Sequence, residues 1–282
     1  MAQVTPQLVK ELRDRTGIGM GKCKEALEEA GGNIELAIEN LRKAGMATAV
    51  KKEGRETKEG TIKIAENSKC VALIEINAET DFVVKNEKFQ QFAQNLAESV
   101  CETLPATVAD FLKQKYAKEP MHTIDEYRAS IIQSLGENIQ IKRFEIFNKK
   151  SDSSLAFYIH GGGKLVTLVE LEGSQGQEDL AKDIAMHVAA EAPEYLTHEE
   201  IPSRVIEHEK EIAKAQIKNK PPAIIEKILE GKLKAYFDQV CLVNQHFVKN
   251  PDLTIAELVE NKGKELGKPL KVSYFLRWKV GE

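Results

Sequence analysis

The run Thr80-Asp81-Phe82-Val83 sets a carboxylate beside a large aromatic where the chain has to turn. It follows the apolar run Cys70 to Ile76 and precedes Asn86, an N-cap candidate for the helical pattern Phe89, Phe92, Ala93 and Leu96. Strand-to-helix connections usually carry small polar residues. Phe82 therefore has two options: it tucks back into the core, or it projects as an anchor for a partner. Residue types alone favour the core, because most loop aromatics are satisfied locally.

A second candidate is His160-Gly161-Gly162-Gly163-Lys164, since glycines expose backbone N–H groups to a phosphate and a lysine adds positive charge. Phosphate loops need a helix N-terminus after the glycines. A β-strand pattern follows here, so the segment is expected to be a hairpin turn that uses positive φ, with His160 as a contact residue beside it. The six histidines show no i, i+4 pairing and no companion carboxylate at metal spacing. His187, between Met186 and Val188 of an apolar helix, is expected to be packed in a core or an interface. Neither a Gly-x-Ser-x-Gly elbow nor a dinucleotide fingerprint occurs, and nothing singles out a catalytic pair among the 44 acidic residues. The chain is expected to bind proteins rather than to act as an enzyme, without cofactor or metal.

Composition narrows the classes further. At 282 residues the chain has room for two domains, or for one with appendages. Hydrophobic residues make up 42% and charged residues 30%, as in a helix-rich globular protein. A net charge of -4 and a pI of about 6.0 suit neither a nucleic-acid groove nor an anionic membrane, so any work near RNA is expected to go through a protein. No apolar run reaches membrane-spanning length and Met1-Ala2-Gln3-Val4-Thr5 lacks signal architecture, which gives a cytoplasmic expectation. Cys23, Cys70, Cys101 and Cys241 have no Cys-x-x-Cys spacing and are expected to be buried free thiols.

The elements that must position these residues begin with Thr5-Pro6, a cap and a first-turn proline. Leu8, Val9 and Leu12 then mark a short amphipathic helix that ends at Thr16-Gly17. Cys23, Ala26 and Leu27 carry a second helix, Gly31-Gly32-Asn33 breaks it, and Ile34, Ala37, Ile38 and Leu41 carry a third. This three-helix bundle, residues 1–50, has a core as small as those of binding modules. Residues 51–60, dense in charge and glycine, are expected to form a mobile linker that lets the bundle reorient.

The remainder reads as a duplication. Thr61 to Ile64 and Cys70 to Ile76 form a hairpin followed by a helix from about Asn86 to Cys101. Ser154 to Ile159 and Leu165 to Leu171 form another, followed by a helix from about Glu178 to Ala190. Gly136 to Phe147 then aligns without gaps on Gly267 to Trp278, pairing Ile139 with Leu270, Ile141 with Val272, Phe144 with Phe275 and Phe147 with Trp278. The expected fold class is α+β. The bundle precedes two duplicated subdomains, each a three-stranded antiparallel sheet with helices on one face, over residues 61–150 and over 151–200 with 238–282. Residues 201–237 are an insertion. Val205, Glu209, Ile212 and Gln216 run down one helix, Lys220-Pro221-Pro222 breaks it, and Ile224, Ile225, Ile228, Leu229 and Leu233 run down another. The expected product is an antiparallel helical hairpin with a protruding tip.

Thr16-Gly17-Ile18-Gly19-Met20 with Cys23 to Leu27, Gly32 to Ala37, Thr80 to Val83, Leu135 to Ile139, Ile184 to Ala190 and Gln245 to Val248 together resemble bacterial elongation factor Ts, in order and over nearly the whole chain. The resemblance implies a guanine-nucleotide exchange factor that releases GDP from elongation factor Tu during translation. It implies that the bundle is ubiquitin-associated-like and contacts this GTPase, with Leu12 and Met20 as contact residues. It further implies that Thr80, Asp81, Phe82 and Val83 lie against the nucleotide-binding domain and disturb magnesium coordination, with Gly136 nearby and His160 facing another domain of the partner. Asp81 could do so by competing with phosphate-side groups or by reorienting a metal-supporting loop. The hairpin serves dimerisation in some members, so a homodimer or a 2:2 complex is a further expectation, whereas direct contact with nucleic acid or membrane is not. In some members the chain continues into another helical module, while this sequence ends at Lys279-Val280-Gly281-Glu282, so the N-terminal bundle is expected to matter more. A binding adaptor without effect on nucleotide is the competing reading; a hydrolase has no residue constellation behind it.

Overall fold

The computed structural model describes residues 4–217 and 221–282. Met1 to Gln3, at the start of the stretch read for a signal, and Lys220, in the hairpin break, lie outside the described residues. Helices and small antiparallel sheets combine in an α+β arrangement, divided into two compact units, Met1–Asn148 with Val280–Glu282, and Lys149–Lys279. Among the described residues no helix is long and apolar enough to cross a membrane.

Unit 1 runs α1 (Pro6–Thr16), α2 (Met20–Glu29), α3 (Ile34–Lys52), β1 (Glu59–Glu66), β2 (Cys70–Ala78), α4 (Asp81–Val84), α5 (Glu87–Thr103), α6 (Val108–Lys113), β3 (Lys115–Tyr116), β4 (Glu119–Thr123), α7 (Ile124–Leu135) and β5 (Ile139–Asn148). The Thr5 side chain accepts from the Leu8 N–H, Pro6 opens α1, and Gly17, at φ 65°, ends it. Val9, Leu12, Ile18, Cys23, Leu27, Ala37 and Leu41 form the core of the first three helices. β2 is the central strand of the order β1-β2-β5 and is buried along its whole length. Against this sheet α5 lays Phe89, Phe92, Ala93, Leu96 and Val100, a stripe in which each fully buried phenylalanine contributes roughly 2–3 kcal/mol.

The expected mobile linker is a point of difference. α3 continues to Lys52, past its apolar pattern, and its buried face turns small at Gly45 and Ala49, which lets it close on α7. Met46 and Ala49 belong to the core around the first sheet, and Arg42 pairs with Glu126 of α7. Beyond the helix, Asn138 Nδ2 donates to the carbonyls of Glu53 at 3.2 Å and Arg55 at 2.9 Å, and Lys52 Nζ donates to the Gly136 carbonyl. Charge density correctly signals exposed side chains. The backbone beneath them is nevertheless tied down by an asparagine far along the chain, and such a tether is invisible to local composition.

Unit 2 runs β6 (Ser153–His160), β7 (Leu165–Glu172), α8 (Glu178–Glu191), α9 (Ser203–Gln216), α10 (Pro222–Val240), β8 (His246–Phe247), β9 (Asn250–Thr254), α11 (Ile255–Leu266) and β10 (Lys271–Lys279). Its sheet order is β10-β7-β6, again with the second strand of the hairpin at the centre. Val205 and Ile206, early in α9, pack with Tyr236 and Phe237, late in α10, so these helices run antiparallel. The hairpin tip lies outside the described residues.

Several local features occur once in each unit. The helix after each hairpin ends on a non-glycine residue in the left-handed region, Leu104 and Ala192, both at φ 48°. Capping boxes at Thr123 with Glu126 and at Thr254 with Glu257 open α7 and α11, and Gly136 and Gly267 close them at positive φ. The closing strands bulge at Lys142 and at Ser273, positions that the gap-free alignment pairs. The hairpins β3–β4 and β8–β9 escape a periodicity reading because their first strands are two residues long.

Candidate functional site

Thr80 is extended, with φ -128° and ψ 157°, and its hydroxyl accepts from the Val83 N–H at 3.4 Å. The expected turn is thus a single capped helical turn, α4. Val84 is buried, Val83 packs half-buried against the core, and Phe82 is left with 81% of its surface exposed. This reverses the preference that residue types gave for a tucked ring. Two consecutive valines take the inward positions of a short helix, and the preceding residue has nowhere to go but out.

Lys85 donates its Nζ to Asp81 Oδ2 at 2.7 Å, one turn along. That hydrogen bond holds the Asp81 carboxyl below the usual carboxylate range, so the acid stands beside the ring as an anion at neutral pH.

The capped turn is fastened from a distance. The N–H and hydroxyl of Thr80 donate to the two carboxylate oxygens of Glu137, at 3.0 and 2.6 Å. In return the Asn138 N–H donates to Glu79 Oε1 at 2.6 Å, and Arg55 pairs with the same carboxylate at 3.4 Å. Gly136, at φ 81°, delivers this Glu137-Asn138 pair from the end of α7, so the structure brings Gly136 into the neighbourhood of Thr80. Glu137 had no role in the sequence reading. It stands in the Leu135 to Ile139 motif of the resemblance, without an assigned role, and its partner lies 57 residues back.

The remaining candidates divide. Met20 opens α2 with about half its surface exposed. Leu12 is 0% exposed inside the bundle core, and this corrects its reading as a contact residue: it packs the bundle, and its surface is not available to a partner. His160 belongs to unit 2, at the exposed end of β6, with its Nδ1 3.2 Å from the Tyr158 hydroxyl. Gly161, Gly162 and Gly163 take φ of 59°, 67° and 93° in the hairpin that leads into β7, as the turn reading predicts.

His187 is buried. Its Nε2 donates to Gln245 Oε1 at 3.0 Å and its Nδ1 accepts from the Val248 N–H at 3.3 Å, an arrangement that fits the neutral ring. Burial lowers its pKa, which agrees with the packed-core alternative. Among the described residues no group of three or more His, Cys, Asp or Glu side chains is placed to hold a metal ion. What unit 1 does present is an exposed ring and an ionised acid on a turn with a fixed base, which suits docking.

The sequence profile of the family described as "Elongation factor TS" matches residues 79–282, starting one residue before Thr80. Full-length relatives extend the similarity over the bundle. A protein named "Elongation factor Ts" from Protochlamydia amoebophila is 58% identical over 282 residues, covering 100% of both chains. Proteins of the same name from Chlamydia muridarum and Chlamydia trachomatis serovar L2 are 45% and 42% identical over 281 residues, again covering 100% of both chains.

Proposed function

The chain belongs to the elongation factor Ts family of translation elongation factors, and from that premise we propose that it is a guanine-nucleotide exchange factor for elongation factor Tu. The observation that carries the reading is Phe82, an aromatic 81% exposed on a turn anchored at its cap, next to an ionised Asp81. In this reading α4 enters the nucleotide-binding domain of the GTPase and disturbs its magnesium and phosphate site, and GDP leaves. The family gives the ubiquitin-associated-like bundle a second contact, here through exposed Met20, and gives His160 a third, on another domain of the partner. The features that recur in the two units support an internal duplication, one copy of which carries the wedge. A homodimer through α9 and α10, or a 2:2 complex, belongs to the same reading, as does action in the cytoplasm.

Magnitudes show what the wedge has to accomplish. A nucleotide held at about nanomolar affinity, about -12 kcal/mol, with an on-rate of about 10⁶ M⁻¹s⁻¹, leaves at about 10⁻³ s⁻¹. A thousandfold acceleration requires about 4 kcal/mol of transition-state stabilisation relative to the GDP-bound partner. One buried aromatic anchor supplies about 2 kcal/mol. Phe82 therefore needs the other contacts to hold it against its target. No covalent bond is made or broken, so the chain works as a binding partner and not as an enzyme. By linkage, a factor that weakens GDP on binding is itself weakened by nucleotide, and it leaves when GTP returns.

The test is release of a fluorescent GDP analogue from elongation factor Tu with and without this chain. Acceleration at catalytic amounts of the chain is the expected result. Complex formation with no change in release rate would leave an adaptor and overturn the exchange reading.

A further inference from the structure

We propose that Glu137 is a positioning residue for nucleotide exchange: its carboxylate sets the direction in which α4 presents Asp81 and Phe82. The inference rests on the exchange reading above and adds the residue that aims the wedge.

A four-residue helix has too few internal hydrogen bonds to hold its own axis. Within α4 and its cap the Val84 N–H to Thr80 carbonyl bond at 3.2 Å, the Lys85 N–H to Asp81 carbonyl bond at 3.0 Å, the Asn86 N–H to Val83 carbonyl bond at 3.0 Å, the Thr80 hydroxyl cap and the Lys85–Asp81 side-chain pair define the turn. Its orientation has to come from outside: Val83 and Val84 pack their side on the core and Gln90 Nε2 donates to the Val84 carbonyl at 2.6 Å at the far end, which leaves the angle at the cap to Glu137. Glu137 supplies two bonds to a single residue, one to the Thr80 backbone and one to its side chain, and two bonds in a fork fix an angle as well as a distance. The reciprocal Asn138 N–H to Glu79 bond locks the residue before Thr80 in the same register. Asn138 is in turn bound to the carbonyls of Glu53 and Arg55, so the base of the wedge is continuous with the segment that leaves α3. Phe82, 81% exposed, makes none of these hydrogen bonds. Glu137 thus acts through Thr80, and misplacement of a reacting group by about 1 Å is enough to cost about a hundredfold in rate.

Glu137→Gln keeps the size of the side chain but removes its charge, so the two charge-assisted bonds become neutral ones and the Thr80 hydroxyl has to turn from donor to acceptor to meet the amide. At saturating chain, GDP release from elongation factor Tu is expected to slow on the order of tenfold, with affinity for the nucleotide-free GTPase changed much less. Amide hydrogen exchange at Val84 and Lys85 is expected to quicken in the free protein, with the urea midpoint close to that of the wild type. Thr80→Val removes the hydroxyl donor and its cap on the Val83 N–H and should reproduce part of the Glu137→Gln loss, which also covers the case in which Glu137→Gln folds poorly. The deciding readout is the same substitution in an Asp81→Ala/Phe82→Ala chain. A positioning residue has nothing left to aim there, so Glu137→Gln should add no further loss. An equal loss in both backgrounds, or an unchanged rate in the wild-type background, overturns the proposal while leaving the exchange reading intact. A wild-type chain that leaves GDP release unaltered removes the exchange reading, and this inference falls with it.

Discussion

Lys88 Nζ donates to the carbonyl oxygen of Gly17 at 3.0 Å, joining the start of α5 to the turn between α1 and α2. The same ammonium reaches the Ser134 hydroxyl of α7 at 3.2 Å. Gly17 stands three residues before exposed Met20, and Lys88 six residues after exposed Phe82. One side chain therefore links the segments that carry two of the partner-facing candidates.

Lys88→Met should loosen that link without unfolding either side. Faster hydrogen exchange in α1 and weaker association with elongation factor Tu are expected, with the urea midpoint moving by less than about 1 kcal/mol in equivalent stability, since the pair is exposed. Gly17→Ala acts harder. Its φ of 65° disfavours any side chain by about 1–2 kcal/mol, and the added Cβ would run into Lys88 Nζ, which then has to move off the Gly17 carbonyl.

Phe82→Ala should lower the rate of GDP release more than it lowers affinity for the nucleotide-free GTPase. The ring is exposed in the free chain, so stability should change by no more than about 0.5 kcal/mol. Equal losses in rate and affinity, measured by stopped-flow release and by titration, would make Phe82 an ordinary anchor.

Acid should weaken unit 2 through His187. Its folded pKa lies below the ordinary 6.5, so the unfolded chain binds the proton more readily. The stability contributed by the neutral ring is fully present above pH 6.5 and is lost as pH falls below it. The stability difference between wild type and His187→Gln should therefore shrink between pH 7.5 and pH 5, measured by urea denaturation. A constant difference would show that the Gln245 and Val248 bonds do not depend on the neutral form.

The thiols should be silent until the chain unfolds. Cys23, Cys70, Cys101 and Cys241 are all buried. Burial pushes Cys101 up to about 12, helped by Cys70, and Cys241 up to about 11, so little thiolate forms at pH 8. Ellman's reagent should find no fast-reacting thiol in the native protein and four in denaturant.

Much of this architecture is written locally. Thr5-Pro6, Asn33, Asn86 and Gly161-Gly162-Gly163 determined their helix starts and their hairpin because caps and positive-φ turns need only neighbouring residues. The apolar periods determined which faces of α5, α8 and the sheet strands are buried, for the same reason: a period is visible within a few turns. The direction of Phe82, the burial of Leu12 and the tethering of residues 51–60 were decided only by the tertiary structure. Each depends on a partner elsewhere: two valines competing for the core beneath α4, two other helices closing over Leu12, and Asn138 reaching back 85 residues to Glu53. At Thr80-Asp81-Phe82-Val83 residue types favour a tucked ring, and the resemblance implies a docking segment. The Glu137 carboxylate, 57 residues away, decides how it is held, because orientation is set by bonds that close only when distant segments meet.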